Sequence, residues 1–114
     1  MSGSTIDLSG GPLRIVVVGI GGAGMGAIAE VLAGMGHRVA GTDQRASAMT
    51  ERLTSLGVEV VIGHDAAIVA GADAVTASTA VGPDVPELVA AREAGIPVLR
   101  LAEALAAICA CRPT

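Results

Sequence analysis

Lysine and aromatic residues are missing from this sequence of 114 residues, which contains no Lys, Phe, Tyr or Trp. P-loops that cleave ATP use a lysine to reach the terminal phosphates, so this chain does not cleave ATP by that route. The formal net charge of −4 argues against a nucleic-acid partner, because nucleic-acid binding requires a basic surface. An anionic ligand would therefore depend on backbone N–H groups and a few arginines.

Cysteine is also scarce, and the two examples are Cys109 and Cys111. They are two positions apart in a predicted helix and face different directions, so we expect neither a disulfide nor a metal site. Residues 1–12 contain no basic segment followed by an apolar one, and we interpret them as a disordered tail rather than a signal peptide. These features predict a reduced, cytoplasmic protein.

The most apolar stretch, residues 15–35, has the length of a membrane span and contains one charged residue, Glu30. Six glycines interrupt it, however, and they are clustered after a β-branched run. We therefore expect a strand, a glycine turn and a helix at this position, and no membrane partner.

Apolar periodicity and turn residues divide the chain into alternating strands and helices. Strands are predicted at residues 13–18, 38–42, 58–62, 74–78 and 97–99. Helices are predicted at residues 23–35, 48–56, 85–94 and 101–111, with a short helical turn at 66–69. This alternation predicts right-handed crossovers and a parallel sheet.

Helix faces and ends can also be predicted. The apolar face of the first helix is predicted to hold Ile28, Val31, Leu32 and Met35. That of the second is predicted to hold Met49, Leu53 and Leu56. Ser47 is the predicted N-cap of the second helix. Asp84 and Glu87 have the spacing of a capping box for the third, with Pro86 in its first turn. Helix ends are predicted at Gly36, Gly57 and Gly95.

The fold class predicted from these elements is α/β, a Rossmann-like three-layer fold with a parallel five-stranded sheet. Residues 13–114 form one domain, and the expected strand order is 3-2-1-4-5. In such sheets the ligand lies beyond the carboxyl ends of the strands, near the switch point between strands 1 and 4. The site is therefore expected where the loops after these strands meet.

The strongest motif follows the first strand and satisfies the pattern G-x-G-x-x-G. Its residues are Gly19, Ile20, Gly21, Gly22, Ala23 and Gly24. Gly19 would allow the tight turn, Gly21 would let a pyrophosphate approach the backbone, and Gly24 would let the helix pack close to the sheet. The N-terminus of the helix would then offer N–H groups to the phosphates. The alternative is that these glycines shape the turn alone.

Further candidates follow the other strands. Asp43 could hold ribose hydroxyls or a uridine, or could be a solvated turn residue. His64 could donate to a phosphate or a base, or could be a surface loop residue. Arg100 could reach the sugar-phosphate side or the next domain, or form a weak surface pair. His37 is expected to be structural.

The loop after the fourth strand contributes residues 78–80, whose hydroxyls and N–H groups could meet a phosphate or satisfy local backbone groups. No Ser-His-Asp set, carboxylate pair or metal cluster is apparent in the sequence. The sequence therefore predicts a binding module, and on residue chemistry alone an NAD-binding domain is the default interpretation.

A family resemblance changes this interpretation. The segments that carry it are residues 18–25, 28–32, 41–43, 50–53, 63–65, 86–100 and 102–105. In this order and spacing they resemble the opening of Mur ligases that join L-alanine to UDP-N-acetylmuramate. The similarity covers about residues 13–108. Each segment alone is unspecific, but the set together is specific.

The resemblance implies that the domain binds the UDP part of UDP-N-acetylmuramate and is itself non-catalytic. It implies UDP-sugar-binding roles for Gly19, Ile20, Gly21, Gly22, Ala23, Gly24, Met25, Thr42, Asp43, His64, Ser78, Thr79 and Ala80. The full-length ligase uses ATP and Mg²⁺, but no cofactor or metal is expected on this domain. The family continues into an ATP-binding loop, so we expect the ATPase and C-terminal domains to be absent from this chain.

Two departures from the family pattern affect details. Val85 stands where an Asn often precedes the proline, so Asp84 must cap the third helix. Leu101 follows Arg100 where a second Arg is frequent. Alternative interpretations are an NAD(P)-binding domain of an oxidoreductase, a ligase that recycles murein peptides and a protein-interaction domain that binds no nucleotide.

Overall fold

The computed structural model describes residues 12–78, 81–82, 84–100, 103–104 and 106. In chain order the elements are β1 (Arg14–Val18), α1 (Ala23–Gly34), β2 (Arg38–Asp43), α2 (Ala48–Ser55), β3 (Glu59–Ile62), a short 3-10 helix (Ala66–Val69), β4 (Ala74–Ala77), α3 (Pro86–Glu93) and β5 (Val98–Leu99). The predicted elements are confirmed in type and order. The ends of these elements agree with the predicted ends to within one residue.

The five strands form one parallel sheet in the order β3-β2-β1-β4-β5, which confirms the predicted topology. β1 lies in the middle, where Val17 is in register with Gly41 of β2 and with Thr76 of β4. Because both faces of a parallel sheet are covered by helices, its central strand can be apolar throughout. The buried β-branched residues of β1 have this pattern.

The core has one layer on each side of the sheet. On one side α1 and α2 pack against Ile15 and Val17 of β1. On the other side α3 and the 3-10 helix pack against Val16 and Val18. Alternate residues of a strand point to opposite faces, so β1 serves both layers. This is the predicted three-layer arrangement.

The apolar faces predicted for the first two helices are wrong in part. Ile28 and Leu32 of α1 are buried, but Val31 is 45% exposed and Met35 is 38% exposed. The helix is rotated about its axis relative to the prediction. Met25 and Ala29 therefore complete the buried face in place of Val31 and Met35. In α2, Leu53 is buried and Met49 is partly buried, whereas Leu56 is exposed.

Helix capping is confirmed for α2 and contradicted for α3. The Ser47 hydroxyl accepts the Thr50 N–H at 3.2 Å, and the Thr50 hydroxyl accepts the Ser47 N–H at 2.8 Å. The N-cap of α3 is Val85, however, and it makes no side-chain capping bond. The carboxylate of Glu87 does not close a capping box with Asp84, because it binds groups of the loop after β3. Gly36, Gly57 and Gly95 follow the three helices as predicted.

Several predictions fall on residues that the structure does not describe. They are the tail at residues 1–11, Thr79, Ala80, Cys109 and Cys111. Most of the last predicted helix also lies outside the described residues, although Glu103, Ala104 and Ala106 are helical. Among the helices described, none is long and apolar enough to cross a membrane.

Candidate functional site

A cleft of about 350 Å³ opens at the carboxyl ends of the strands, as predicted for the switch point between β1 and β4. It is lined by Val18, Gly19, Gly22, Thr42, Asp43, Gln44, Gly63, His64, Ser78, Val81, Gly82 and Val85. The loops after β1, β2, β3 and β4 therefore all contribute to the walls. Its volume is in the range of small-molecule sites.

The glycine turn is anchored on the end of β2. The carbonyl oxygen of Thr42 accepts the N–H of Gly19 at 2.8 Å and the N–H of Ile20 at 3.0 Å. Gly19 has a φ of +78°, which favours glycine, and a Cβ there would lie 3.0 Å from Cγ2 of Val81. The tight turn that the motif predicts at Gly19 is therefore present.

Asp43 binds the backbone of Gly21 in the same turn. Its Oδ2 accepts the N–H of Gly21 at 2.8 Å, and its Oδ1 accepts the N–H of Arg45 at 3.0 Å. A Cβ on Gly21 would lie 2.9 Å from Oδ2 of Asp43 and 3.2 Å from Cγ2 of Thr50. Gly21 is thus required for the approach of Asp43, and it does not line the cleft. The room for a pyrophosphate expected at Gly21 stays a prediction.

The other residues of the motif differ in exposure. Ile20 and Met25 are buried in the core, so their side chains are not available to a ligand. Gly24 is exposed, and the close helix–sheet packing expected there stays a prediction. Gly26 is the buried glycine of α1, where a Cβ would lie 2.6 Å from Cγ and Sδ of Met49. Ala23 is the first residue of α1.

The N-terminus of α1, which carries a partial positive charge, lies at the cleft. Its N-cap, Gly22, lines the cleft and provides no side-chain cap, and the first turn contains no acidic residue. The first N–H groups of a helix lack partners within the helix and carry partial positive charge. An anion in the cleft would therefore meet donors without displacing a capping side chain.

On the opposite wall, a buried carboxylate holds His64. The side chain of Glu87 in α3 is 0% exposed, and its carboxylate accepts His64 Nδ1–H at 3.1 Å and the N–H of Asp65 at 2.9 Å. The ring of His64 is 39% exposed. Its Nε2 lies 3.2 Å from Nε2 of Gln44, and both residues line the cleft. His64 is therefore a cleft residue rather than a free surface histidine.

The ionisation of Glu87 results from opposing effects. Burial alone would raise its pKa. Hydrogen bonds from the N–H groups of Asp65 and of Glu87 itself, and from the side chains of His64 and Thr42, outweigh burial and lower the pKa below its ordinary value. Glu87 is thus a carboxylate at neutral pH and can only accept hydrogen bonds.

Two further candidates have defined positions near the cleft. The Thr42 hydroxyl is buried and bonded to Glu87, so it supports the wall rather than offering itself to a ligand. Ser78 lines the cleft at the end of β4, and its N–H donates to the carbonyl of Val18 at 3.2 Å. Thr79 and Ala80, which follow Ser78, lie outside the described residues.

Arg100 and His37 lie away from the cleft lining. The N–H of Arg100 donates to Oε1 of Glu103 at 2.8 Å, and its carbonyl accepts the N–H of Ala104 at 3.0 Å. Both hydrogen bonds join Arg100 to the helical residues at 103–104. His37 is buried, and its Nδ1 accepts the N–H of Leu13 at 3.1 Å, which agrees with the structural role expected for it.

Several residues at or behind the cleft were not predicted from the sequence, among them Gln44, Gly82, Val85 and Glu87. Gln44 directly follows Asp43 at the end of β2, so a wider window around each strand end would have included it. For Glu87, its distance in sequence from Asp84 gave a misleading local signal. Its actual partners come from a loop more than 20 residues earlier in the chain.

A glycine turn that opens on such a cleft defines a Rossmann-like ligand-binding domain. Comparison with known proteins gives the family. Residues 14–112 match the Mur ligase family, catalytic domain, so the chain belongs to the Mur ligase family.

The most similar relatives are ligases. The chain is 57% identical over 93 residues to a UDP-N-acetylmuramate–L-alanine ligase from Methylibium petroleiphilum. This match covers 82% of this chain and 20% of the relative. It is 56% identical over 96 residues to the ligase of the same name from Maricaulis maris, which covers 84% of this chain and 20% of the relative. The chain thus spans about a fifth of the length of these relatives.

A solved structure agrees with the sequence relatives. The UDP-N-acetylmuramate–alanine ligase from Thermotoga maritima superposes with a TM-score of 0.78 at 32% identity, over 82% of this chain and 22% of that chain. These comparisons favour the ligase interpretation over the oxidoreductase alternative.

Proposed function

We propose that this chain is the UDP-N-acetylmuramate-binding domain of a ligase that adds L-alanine to that substrate in peptidoglycan biosynthesis. The observation that carries the proposal is the glycine turn between β1 and α1, which opens on a cleft in a chain 57% identical to such a ligase. We also propose that the enzyme is cytoplasmic and that its ATPase and C-terminal domains are the partners of this domain.

The two walls of the cleft suggest the orientation of the ligand. The diphosphate would lie against Gly19, Gly22 and the N-terminus of α1, where backbone donors are available. Ser78 lies at the switch point, and Thr79 and Ala80 follow it in sequence. The uridine would lie toward Asp43 and His64. Four residues would support the site by shaping the turn: Ile20, Gly21, Gly24 and Met25. Ala23 would offer its backbone at the start of α1.

The described residues do not suit ATP and Mg²⁺, which we assign to the rest of the enzyme. No group of three His, Cys, Asp or Glu side chains is placed to hold a metal within the part of the chain that the structure describes. The chain also contains no lysine to bind terminal phosphates. The domain would therefore contribute by binding and orienting the UDP-sugar.

Thermal denaturation of this chain with UDP-N-acetylmuramate, UDP, NAD or NADP tests the proposal. A ligand at a hundredfold excess over its Kd stabilises the folded state by about 2.7 kcal/mol. We expect stabilisation by the two uridine ligands alone. Stabilisation by NAD or NADP alone would contradict the proposal and favour an oxidoreductase domain.

Gly22→Asp sharpens this test, because it separates folding from binding. Gly22 has an extended backbone (φ −66°, ψ 151°) at the N-cap of α1, and Asp is a preferred N-cap residue there. The variant is expected to fold, with strain where its Cβ would lie 3.3 Å from the carbonyl oxygen of Gly19, and to lose UDP binding because its carboxylate would occupy the anion position. Gly34→Asp is the control, since nothing lies within 4 Å of a Cβ at Gly34. Normal UDP binding by Gly22→Asp would contradict the placement of the diphosphate.

A further inference from the structure

The contact between Glu87 and His64 restricts the proton on the histidine ring. Both oxygens of Glu87 lie near Nδ1 of His64, at 3.1 and 3.3 Å. Because Glu87 is ionised, it cannot donate a proton, and Nδ1 of His64 must be the donor. A buried carboxylate that lost this donor would keep the cost of its desolvation.

The other ring nitrogen faces a donor. Nε2 of His64 lies 3.2 Å from the amide nitrogen of Gln44, which carries two N–H groups and no acceptor. With the Gln44 amide assigned in this orientation, Nε2 accepts this hydrogen bond and the ring proton lies on Nδ1. His37 provides the opposite case in the same chain. Its Nδ1 accepts the N–H of Leu13, so its ring proton lies on Nε2.

We propose that Glu87 is a positioning residue that fixes His64 as a hydrogen-bond acceptor in the cleft. A donor from the nucleoside part of the ligand, either the imide N–H of a uracil or a ribose hydroxyl, then replaces the Gln44 N–H on Nε2 of His64. The proposal rests on the function proposed above. It assigns selectivity to a side chain of α3 that never touches the ligand.

The burial of Glu87 makes this arrangement rigid. Its carboxylate is tied by the N–H of Asp65 and by the side chain of Thr42, so it links the ends of β2 and β3 to α3. His64 can rotate away only by leaving a buried charge without one of its partners. A site built around a fixed acceptor discriminates strongly against ligands that lack the matching donor.

The first measurement is the ¹⁵N NMR spectrum of the two histidine rings in the ligand-free chain at neutral pH. Ring ¹⁵N shifts distinguish the two tautomers. We expect Nδ1–H for His64 and Nε2–H for His37, which serves as the internal control. An Nε2–H tautomer at His64, or a doubly protonated ring, would overturn the positioning role whatever ligand binds.

The second measurement compares UDP affinity in four chains: wild type, Glu87→Gln, His64→Ala and the double variant. Glu87→Gln should lower the affinity about tenfold, as expected for loss of one hydrogen bond, and should add Nε2–H tautomer at His64. In the His64→Ala background the same change should have no effect on affinity. Glu93→Gln, an exposed carboxylate on the same helix, is the matched control.

Unchanged affinity of Glu87→Gln, or an equal loss with and without His64, would overturn the proposal. If Glu87→Gln does not fold, the proposal is tested on the wild-type chain. Its affinity for UDP is compared with its affinities for CDP and for 2′,3′-dideoxy-UDP. One of the two analogues should bind about tenfold more weakly, since CDP lacks the imide N–H and 2′,3′-dideoxy-UDP lacks both ribose hydroxyls. Equal binding of all three would overturn the assignment of Nε2 as the acceptor. Absence of UDP binding to the wild type would instead overturn the proposed function.

Discussion

The two carboxylates beside the cleft, Asp43 and Glu87, differ in what they hold and in how far water can reach them. Asp43 is partly exposed and accepts two backbone N–H groups, those of Gly21 and Arg45. Glu87 is fully buried and accepts the side chains of His64 and Thr42 as well as the backbone N–H groups of Asp65 and of Glu87 itself. The first carboxylate shapes a turn, and the second fixes side chains.

The two carboxylates also differ in whether water can replace them as hydrogen-bond acceptors. Water can reach the N–H groups beside Asp43 if its carboxylate is removed, so they keep a partner. Of the donors around Glu87, the side chain of Thr42 is buried, and a buried donor without a partner is costly. The two carboxylates should therefore respond differently to mutation.

The largest effect is expected for Glu87→Ala. It leaves the Asp65 N–H and the Thr42 hydroxyl without their acceptor and should destabilise the domain by about 2–3 kcal/mol. Asp43→Ala should cost about 1 kcal/mol, because water replaces the carboxylate. Urea denaturation of both variants measures the difference. Equal losses would show that burial does not separate the two carboxylates.

A smaller effect is expected for Gly21→Ala, which displaces the Asp43 carboxylate that binds the N–H of Gly21. In Gly21→Ala the new Cβ would lie 2.9 Å from Oδ2 of Asp43, so the carboxylate must move and the turn must loosen. We expect a loss of about 1–2 kcal/mol in the free energy of unfolding. Gly34→Ala, where the space is open, should stabilise α1 by about 0.5–1 kcal/mol. Stabilisation by both substitutions would exclude the contact between Gly21 and Asp43.

The smallest effect is expected in acid. The pKa of Glu87 is lowered from its ordinary value of 4.5, so its contribution to stability is present above pH 4.5 and is lost as the pH falls through the lowered pKa. Wild type should therefore lose more stability than Glu87→Gln between about pH 5 and pH 3. Chemical denaturation along this pH series measures the slopes. A variant slope as steep as that of the wild type would assign the acid response to other carboxylates, such as Glu30, whose pKa is lowered by the hydrogen bond from Arg52.

The sheet and its strand order were predictable because their signals are local. β-branched runs such as that of β1 end at glycines or polar residues, and the helices between them impose parallel strands. The tight turn at Gly19 followed from the motif for the same reason. Capping of α2 by Ser47 depends on two residues three apart, which a sequence pattern can detect.

The rest depends on contacts between distant segments. Glu87 has the spacing of a capping residue, but a histidine and a backbone N–H from the loop after β3 attract its carboxylate more strongly. Periodicity placed Val31 on the buried face of α1, whereas the packing of α2 and the sheet turned that face toward Met25 and Ala29. The role of Gly21 could not be predicted either, because Asp43 reaches it from 22 residues later in the chain.

The bonds from the end of β2 to the glycine turn also affect the entropy of binding. Thr42 and Asp43 together fix the N–H groups of Gly19, Ile20 and Gly21 in the folded chain before any ligand arrives. Ordering three residues of a free loop would cost about 3–6 kcal/mol of conformational free energy. Here that ordering accompanies folding, so an anion that enters the cleft meets a preorganised turn and its affinity is not reduced by this cost.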